Sequence, residues 1–260
     1  MEQAIEQIKE KAKNSKFYNE NLIMDFYRLD QADPESVKEA IFELFENGYA
    51  SYDVIYLNAG VVMEGNDSKT GINNCFQINH IGTYCFGNLL LNEIGKRRKN
   101  DNKVSYPKRI IITSSTGNLG CHPSGINYQD LNMADPTHPR HNHFLTTVFN
   151  QYMQSKLANI LYVQMLDRYL SKHDILVHAV HPGCVVSDIR GMRSERSKIM
   201  VFLENCLLRS NFRGAQCHLH VGFSEEAKVV DKGGLYWDSC HPDRIVKLDD
   251  HEDQLNFHEW

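Results

Sequence analysis

Tyr52-Asp53-Val54-Ile55-Tyr56-Leu57-Asn58-Ala59-Gly60 runs from a short apolar strand straight into a turn of small residues. Two later stretches repeat the pattern. Arg109-Ile110-Ile111-Ile112-Thr113 ends in Ser114-Ser115-Thr116-Gly117, and Ile175 to Val180 leads into His181-Pro182-Gly183-Cys184-Val185. Continuous apolar runs of this length suit strands covered on both faces. Helical patterns separate them. Strands alternating with helices predict an α/β fold with a parallel sheet. In such sheets, ligands bind just past the carboxyl ends of the strands.

The rest of the chain fills in around these strands. Met1 to Lys16 reads as an amphipathic helix with Ile5, Ile8 and Ala12 on one face. Leu22 to Leu29 reads as a further strand. Asp33 caps a helix whose first residue is Pro34, and Val37, Ile41, Leu44 and Phe45 form its buried stripe. Gly71 to Glu93 reads as a long helix carrying Asn79, and Lys96 to Lys103 as a solvated charged linker. Cys121 to Asn150 is long and irregular, which in a compact domain usually marks a functional or mobile segment. The helix from Tyr152 to Leu170 is apolar around much of its circumference, so it is buried on more than one side. Ser194 to Leu208 and Arg213 to Gly222 read as helices, and Gly234 to Trp237 as a last short strand. The tail to Trp260 is acidic and poorly patterned.

A chain of 260 residues is long enough for one domain with a single large core. Nothing suggests a second-domain boundary or an internal repeat. A net charge of −5 gives no reason to expect nucleic acid or an anionic membrane as partner. The seven cysteines contain no C-x-x-C pair, which points to a reducing compartment, read as the cytoplasm. No apolar run reaches the ~18 residues of a membrane span. His138, His141 and His143 lie close together but have no Cys or acidic ligand at a familiar spacing, so no metal site is expected.

Tyr152 and Lys156 stand four residues apart at the head of the long helix. Residues at that spacing share a face, about 5–6 Å apart at Cβ. A phenol has a pKa near ~10 and is a poor acid at neutral pH. A neighbouring ammonium favours the phenolate and lowers that value. The pair therefore suits general acid/base work.

Asn58-Ala59-Gly60, Ser114-Ser115, Tyr152-x-x-x-Lys156 and Pro182-Gly183, in this order and in these strand contexts, resemble the short-chain dehydrogenase/reductase family. Finer wording narrows the resemblance to the branch of the retinol dehydrogenases and the WW domain-containing oxidoreductase. It rests on Phe76-Gln77-Ile78-Asn79-His80-Ile81-Gly82, Ser155-Lys156-Leu157-Ala158-Asn159-Ile160-Leu161, Val180-His181-Pro182-Gly183 and Lys232-Gly233-Gly234-Leu235-Tyr236-Trp237. The resemblance implies a Rossmann-like, doubly wound sheet and an NADP- or NAD-dependent exchange of hydride between a nicotinamide and a carbonyl/alcohol pair.

Carried over by position, the resemblance gives Tyr152 as the acid/base and Lys156 as the cation beside it, bonded to the nicotinamide ribose. It gives Ser115, the second serine of its pair, as holder of the substrate oxygen. It gives Asn79 as holder of a water that connects Lys156 to solvent. Asp30 matches the aspartate that meets the adenine, and Asn58, Ala59 and Gly60 line the adenosine side. Pro182, Gly183, Val185 and Ser187 match the loop that orients the nicotinamide amide. The substrate implied is a small apolar alcohol, aldehyde or ketone, retinoid- or steroid-like. Phe144, Leu145, Phe149, Met192, Met200 and Phe202 suit its pocket. A homodimer through the Asn79 and Tyr152 helices is also implied.

The sequence departs from the family at its start. The family opens with a strand, T-G-x-x-x-G-x-G, a helix and a second strand, a unit of roughly 30 residues or more. No G-x-x-x-G-x-G precedes Leu22. Met1 to Lys16 resembles the middle of the helix that follows the second strand, so the domain reads as N-terminally truncated. The glycine turn that cradles the cofactor's diphosphate is not in these residues, nor are the residues that choose between NAD and NADP. The family's strand order is 3-2-1-4-5-6-7. Leu22 to Leu29 therefore lacks its neighbour, and Val54 to Leu57 exposes an edge. Two readings follow: an NAD(P)-dependent oxidoreductase, and a catalytically inactive dehydrogenase fragment acting through protein interaction.

Overall fold

The computed structural model describes residues 2–16, 19, 21, 23–121, 125–139, 141–142, 145–186, 208–225, 233–238 and 240–243. Helix α1 spans Glu2–Lys13, and α2 spans Pro34–Glu46. Asp33 caps α2 by accepting the Glu35 N–H at 3.4 Å, and Val37, Ala40, Ile41 and Phe45 are its buried face. Strand β1 is Val54–Leu57, β2 is Arg109–Thr113, β3 is Leu176–His181, β4 is Leu235–Asp238 and β5 is His241–Asp243.

The sheet runs β1-β2-β3-β4-β5. The first four strands are parallel, as the alternation predicted, with Ile55 opposite Ile110 and Ile110 opposite Val177. The acidic tail begins with an unforeseen element: His241–Asp243 turns back antiparallel on β4. Alternate residues of β2 supply two cores, because successive side chains point to opposite faces. Ile110 and Ile112 join Leu157, Ile160 and Leu161 of helix α4, Thr147–Leu170. Ile111 faces the other way, onto Cys217 and Val221 of helix α5, Asn211–Phe223. Helices thus lie on both faces. Buried Arg109 anchors α5 by donating from Nη1 to the Val221 carbonyl at 2.5 Å and from Nη2 to the Ser224 carbonyl at 2.8 Å.

Three expected elements are corrected. Residues 23–30 carry no strand. A strand is stabilised by ladder bonds to a neighbour, and among the described residues none lies beside it. Ile23 and Phe26 stay largely in solvent. The predicted helix from Gly71 to Glu93 starts later and ends later. Asn74–Phe76 is its first turn, Gln77–Gly82 is a π-turn, and helix α3, Thr83–Arg98, continues into the stretch read as a linker. Likewise α4 begins at Thr147, inside the segment read as irregular. The helix read from Ser194 to Leu208 lies almost wholly outside the described residues. Among the described residues, no helix is long and apolar enough to cross a membrane.

Candidate active site

The carboxyl ends of β1, β2 and β3 open toward one another, and the site is assembled there. Asn58 and Ala59 follow β1 and are exposed; Gly60 is half-buried. Gly60 is glycine because a Cβ there would press on Lys156 Nζ at 3.1 Å and Asn79 Oδ1 at 3.2 Å. Asn79 is fully buried in the π-turn, a deformation frequent at functional sites. Its amide pairs with Val61 as a strand residue would. Oδ1 accepts the Val61 N–H at 2.7 Å, and Nδ2 donates to the Val61 carbonyl at 2.9 Å. Nδ2 also donates to Ser155 Oγ at 3.0 Å. Asn79 is therefore a clamp between the Asn58–Gly60 turn and α4.

The two serines after β2 have different roles. Ser114 is buried and donates to the Lys156 carbonyl at 2.7 Å, fixing α4 against the strand end. Ser115 caps the short 3-10 turn Thr116–Gly120 by accepting the Gly117 N–H at 3.1 Å, and it hydrogen-bonds the Tyr152 hydroxyl. The serine beside Tyr152 is thus Ser115.

Lys156 is buried, and its amine is pushed down to about 8, mainly by loss of water and slightly offset by the Cys75 thiol. It donates to the Thr113 carbonyl at 3.2 Å and lies 5.6 Å from the centre of the Tyr152 ring. The phenol of Tyr152 is shifted upward, not downward as the spacing suggested: burial dominates, and the Ser115 bond pulls back. The ammonium faces the Thr113 carbonyl, so desolvation decides the direction. At neutral pH Tyr152 is a protonated phenol.

At the end of β3, buried His181 meets Thr116 Oγ1 at 3.3 Å, tying the start of the Pro182–Gly183 loop to the Ser115 turn. Gly183 has φ +84°, and a Cβ there would strike the Arg209 side chain at 2.7 Å. Val185 pairs with Arg209 as a parallel bridge. Pro182 is half-buried beside them; Ser187 lies outside the described residues. Asp30 folds back on its own turn, accepting the Ala32 N–H at 2.9 Å. That turn packs Gln31 against Gly82, three residues from Asn79. Of the residues expected to suit a substrate pocket, Leu145 is exposed and Phe149 half-buried; Phe144, Met192, Met200 and Phe202 lie outside the described residues. Sequence reading gave no role to Thr113, Asn159 or Ser155, although the last two stand in a stretch that carries the branch resemblance.

A nicotinamide cofactor fits one end of this site. An ammonium has three donors, and Lys156, held at the mouth of the turn, gives one to Thr113. Asn58 and Ala59, expected to line the adenosine side, are exposed. At the diphosphate end, the 260 residues hold no G-x-x-x-G-x-G turn.

Parallel strands with a Ser–Tyr–Lys cluster at their carboxyl ends resemble the arrangement expected of a short-chain dehydrogenase/reductase. The sequence is similar to oxidoreductases. It is 28% identical over 219 residues to retinol dehydrogenase 11 of Homo sapiens, covering 82% of this chain and 60% of that one. It is 30% identical over 217 residues to an uncharacterized oxidoreductase of Schizosaccharomyces pombe, with the same coverage. The chain thus spans about 60% of the length of the curated relatives it matches. Among solved structures, the NADPH-bound carbonyl reductase from chicken fatty liver matches with a TM-score of 0.54 at 19% identity, over 91% of this chain and 79% of that one. An uncharacterized protein of Mycobacterium paratuberculosis matches with a TM-score of 0.56 at 22% identity, over 87% and 70%. No protein-family model matches.

Proposed function

We propose that this chain is the catalytic part of an NAD(P)-dependent oxidoreductase acting on a small apolar alcohol, aldehyde or ketone of retinoid or steroid type. The observation that carries the reading is the meeting of Ser115, Tyr152 and Lys156 at the ends of β2 and β3. The nicotinamide, when bound, supplies or accepts the hydride. The chain manages one proton. In carbonyl reduction, the Tyr152 phenol donates it to the substrate oxygen, which Ser115 holds in place by a second hydrogen bond. The charged Lys156 amine then favours the phenolate left behind. Lys156 would hold the ribose, Pro182, Gly183, Val185 and Ser187 the carboxamide, and Asp30 with Asn58 to Gly60 the adenosine.

The whole chain forms one domain in this reading, and a cytoplasmic setting fits its cysteines. A homodimer through α3 and α4 belongs to the proposal. Its support is a groove of about 400 Å³ lined by residues of both helices, among them Tyr84, Leu91, Met165 and Tyr169, with Tyr152 not in its lining. A second reading, an inactive fragment acting through protein contacts, is favoured by the edge of β1, which no strand pairs among the described residues.

The deciding experiment is NADPH consumption with long-chain aldehydes and retinal. Turnover by the unaltered chain, reduced about 10²–10⁴-fold in Tyr152→Phe, supports the enzyme. No turnover in either protein favours the second reading.

A further inference from the structure

Thr113 ends β2 with both of its polar groups engaged. Its carbonyl accepts from Lys156 Nζ and from Asn159 Nδ2, each at 3.2 Å. Its hydroxyl lies 2.9 Å from Asn58 Oδ1 and 2.7 Å from His218 Nε2. The imidazole reaches this point from α5, on the sheet face opposite α4. It is held there from β1, where the Tyr56 hydroxyl donates to the His218 carbonyl at 3.2 Å. The two rings lie 6.2 Å apart. The carbonyl of Gly214, one turn back on α5, is the imidazole's other partner.

One hydroxyl carries one proton, and that forces a choice. With the imidazole proton on Nε2, His218 donates to Thr113 and Thr113 donates to Asn58. With the proton on Nδ1, His218 is satisfied by Gly214 instead. Nε2 then accepts the Thr113 proton, and Asn58 must turn its amide nitrogen toward Thr113. The two ends of an amide are nearly the same in shape and opposite in hydrogen bonding. Turning it therefore exchanges the group that exposed Asn58 presents beside Ala59 and Gly60.

We infer that His218 is a positioning residue. Through Thr113 it sets the orientation of the Asn58 amide, and thereby how the Asn58–Gly60 turn receives the adenosine side of a nicotinamide cofactor. Acting from the far face of the sheet, it reaches the site through one hydroxyl whose parent residue also holds Lys156. The inference rests on the oxidoreductase reading for its ligand and on the His218–Thr113–Asn58 geometry for its mechanism.

Two measurements on the full chain test it. The first is nitrogen NMR of the histidine rings, with the His218 signal assigned by its loss in His218→Gln. Thr113→Val keeps the backbone carbonyl and the shape but removes the hydroxyl, so it must move the His218 ring-nitrogen shifts. The second is titration with NADPH and NADH. His218→Phe keeps a ring of similar size without nitrogen and weakens binding by up to about tenfold, the value of one hydrogen bond. His218→Gln places an amide near Nε2 and restores most of the affinity. Equal affinity in all three proteins, or ring shifts that Thr113→Val leaves unmoved, overturns the inference. Should the unaltered chain take up neither cofactor, the oxidoreductase reading fails. The relay then stands or falls on the ring shifts alone.

Discussion

Replacing Lys156 by methionine is expected to stabilise the fold while removing its chemistry. The amine is buried and lowered from its ordinary 10.5 to about 8. Holding a charge there costs the folded state about 3 kcal/mol. Because the folded pKa lies below the unfolded one, the unfolded chain holds the extra proton between about pH 8 and 10.5. Stability therefore rises with pH across that window and carries the full cost below it. Methionine is unbranched, adapts to the same space and has no charge to desolvate. The variant loses the bond to the Thr113 carbonyl, about 1 kcal/mol, so the net gain at pH 7 is about 2 kcal/mol. For a domain of this size that raises Tm by about 4–8 °C. The assay is paired thermal and urea unfolding of the two proteins at pH 7 and pH 10. The gain should shrink toward zero at the higher pH. A variant no more stable at pH 7, or a gain that does not change with pH, would refute the reasoning.

Other buried groups make further expectations. His178 is fully buried between Arg109 and Trp237 and is pushed down to about 4, mainly by burial. Its folded pKa lies below the unfolded one, so stability is intact above pH 6.5 and is lost as pH falls toward 4. His178→Phe should flatten that acid limb of the unfolding curve. Gly82→Ala would drive a Cβ into the Gln31 carbonyl, and a loss of about 1–3 kcal/mol in urea unfolding is expected. Arg109→Leu leaves the Val221 and Ser224 carbonyls without their charged donor. It should lower stability by about 2–3 kcal/mol, with hydrogen exchange rising first in α5. For carbonyl reduction, activity should fall above about pH 8 as Lys156 loses its proton, which a pH–rate profile reads directly.

The sheet was legible because its strands are short, apolar and followed by small residues. Tyr52 to Leu57, Arg109 to Thr113 and Ile175 to Val180 announce themselves locally. Residues 23–30 show the limit of such reading. They have a strand's composition, but a strand exists only with a neighbour, and composition does not say whether one is present. The π-turn at Asn79 was hidden for a related reason: one extra residue in a helix leaves no mark on the apolar pattern. At the site, the motifs gave the residues but not their electrostatics. The i, i+4 spacing of Tyr152 and Lys156 suggested a lowered phenol, yet burial and the Thr113 carbonyl decide the matter. His218 was invisible because its partners come from three separate strands and helices, and no spacing in the sequence records that.

The central claim is that the Tyr152 site accepts a nicotinamide cofactor even though these residues hold no glycine-rich turn. Titration of the 260-residue chain with NADPH and NADH, followed by fluorescence and thermal shift together, tests it most directly. Saturable binding is expected, with a stabilisation of about 2.7 kcal/mol at ~100 times the dissociation constant. A chain that melts cooperatively and shows neither a fluorescence change nor a shift in Tm with either cofactor would contradict the account.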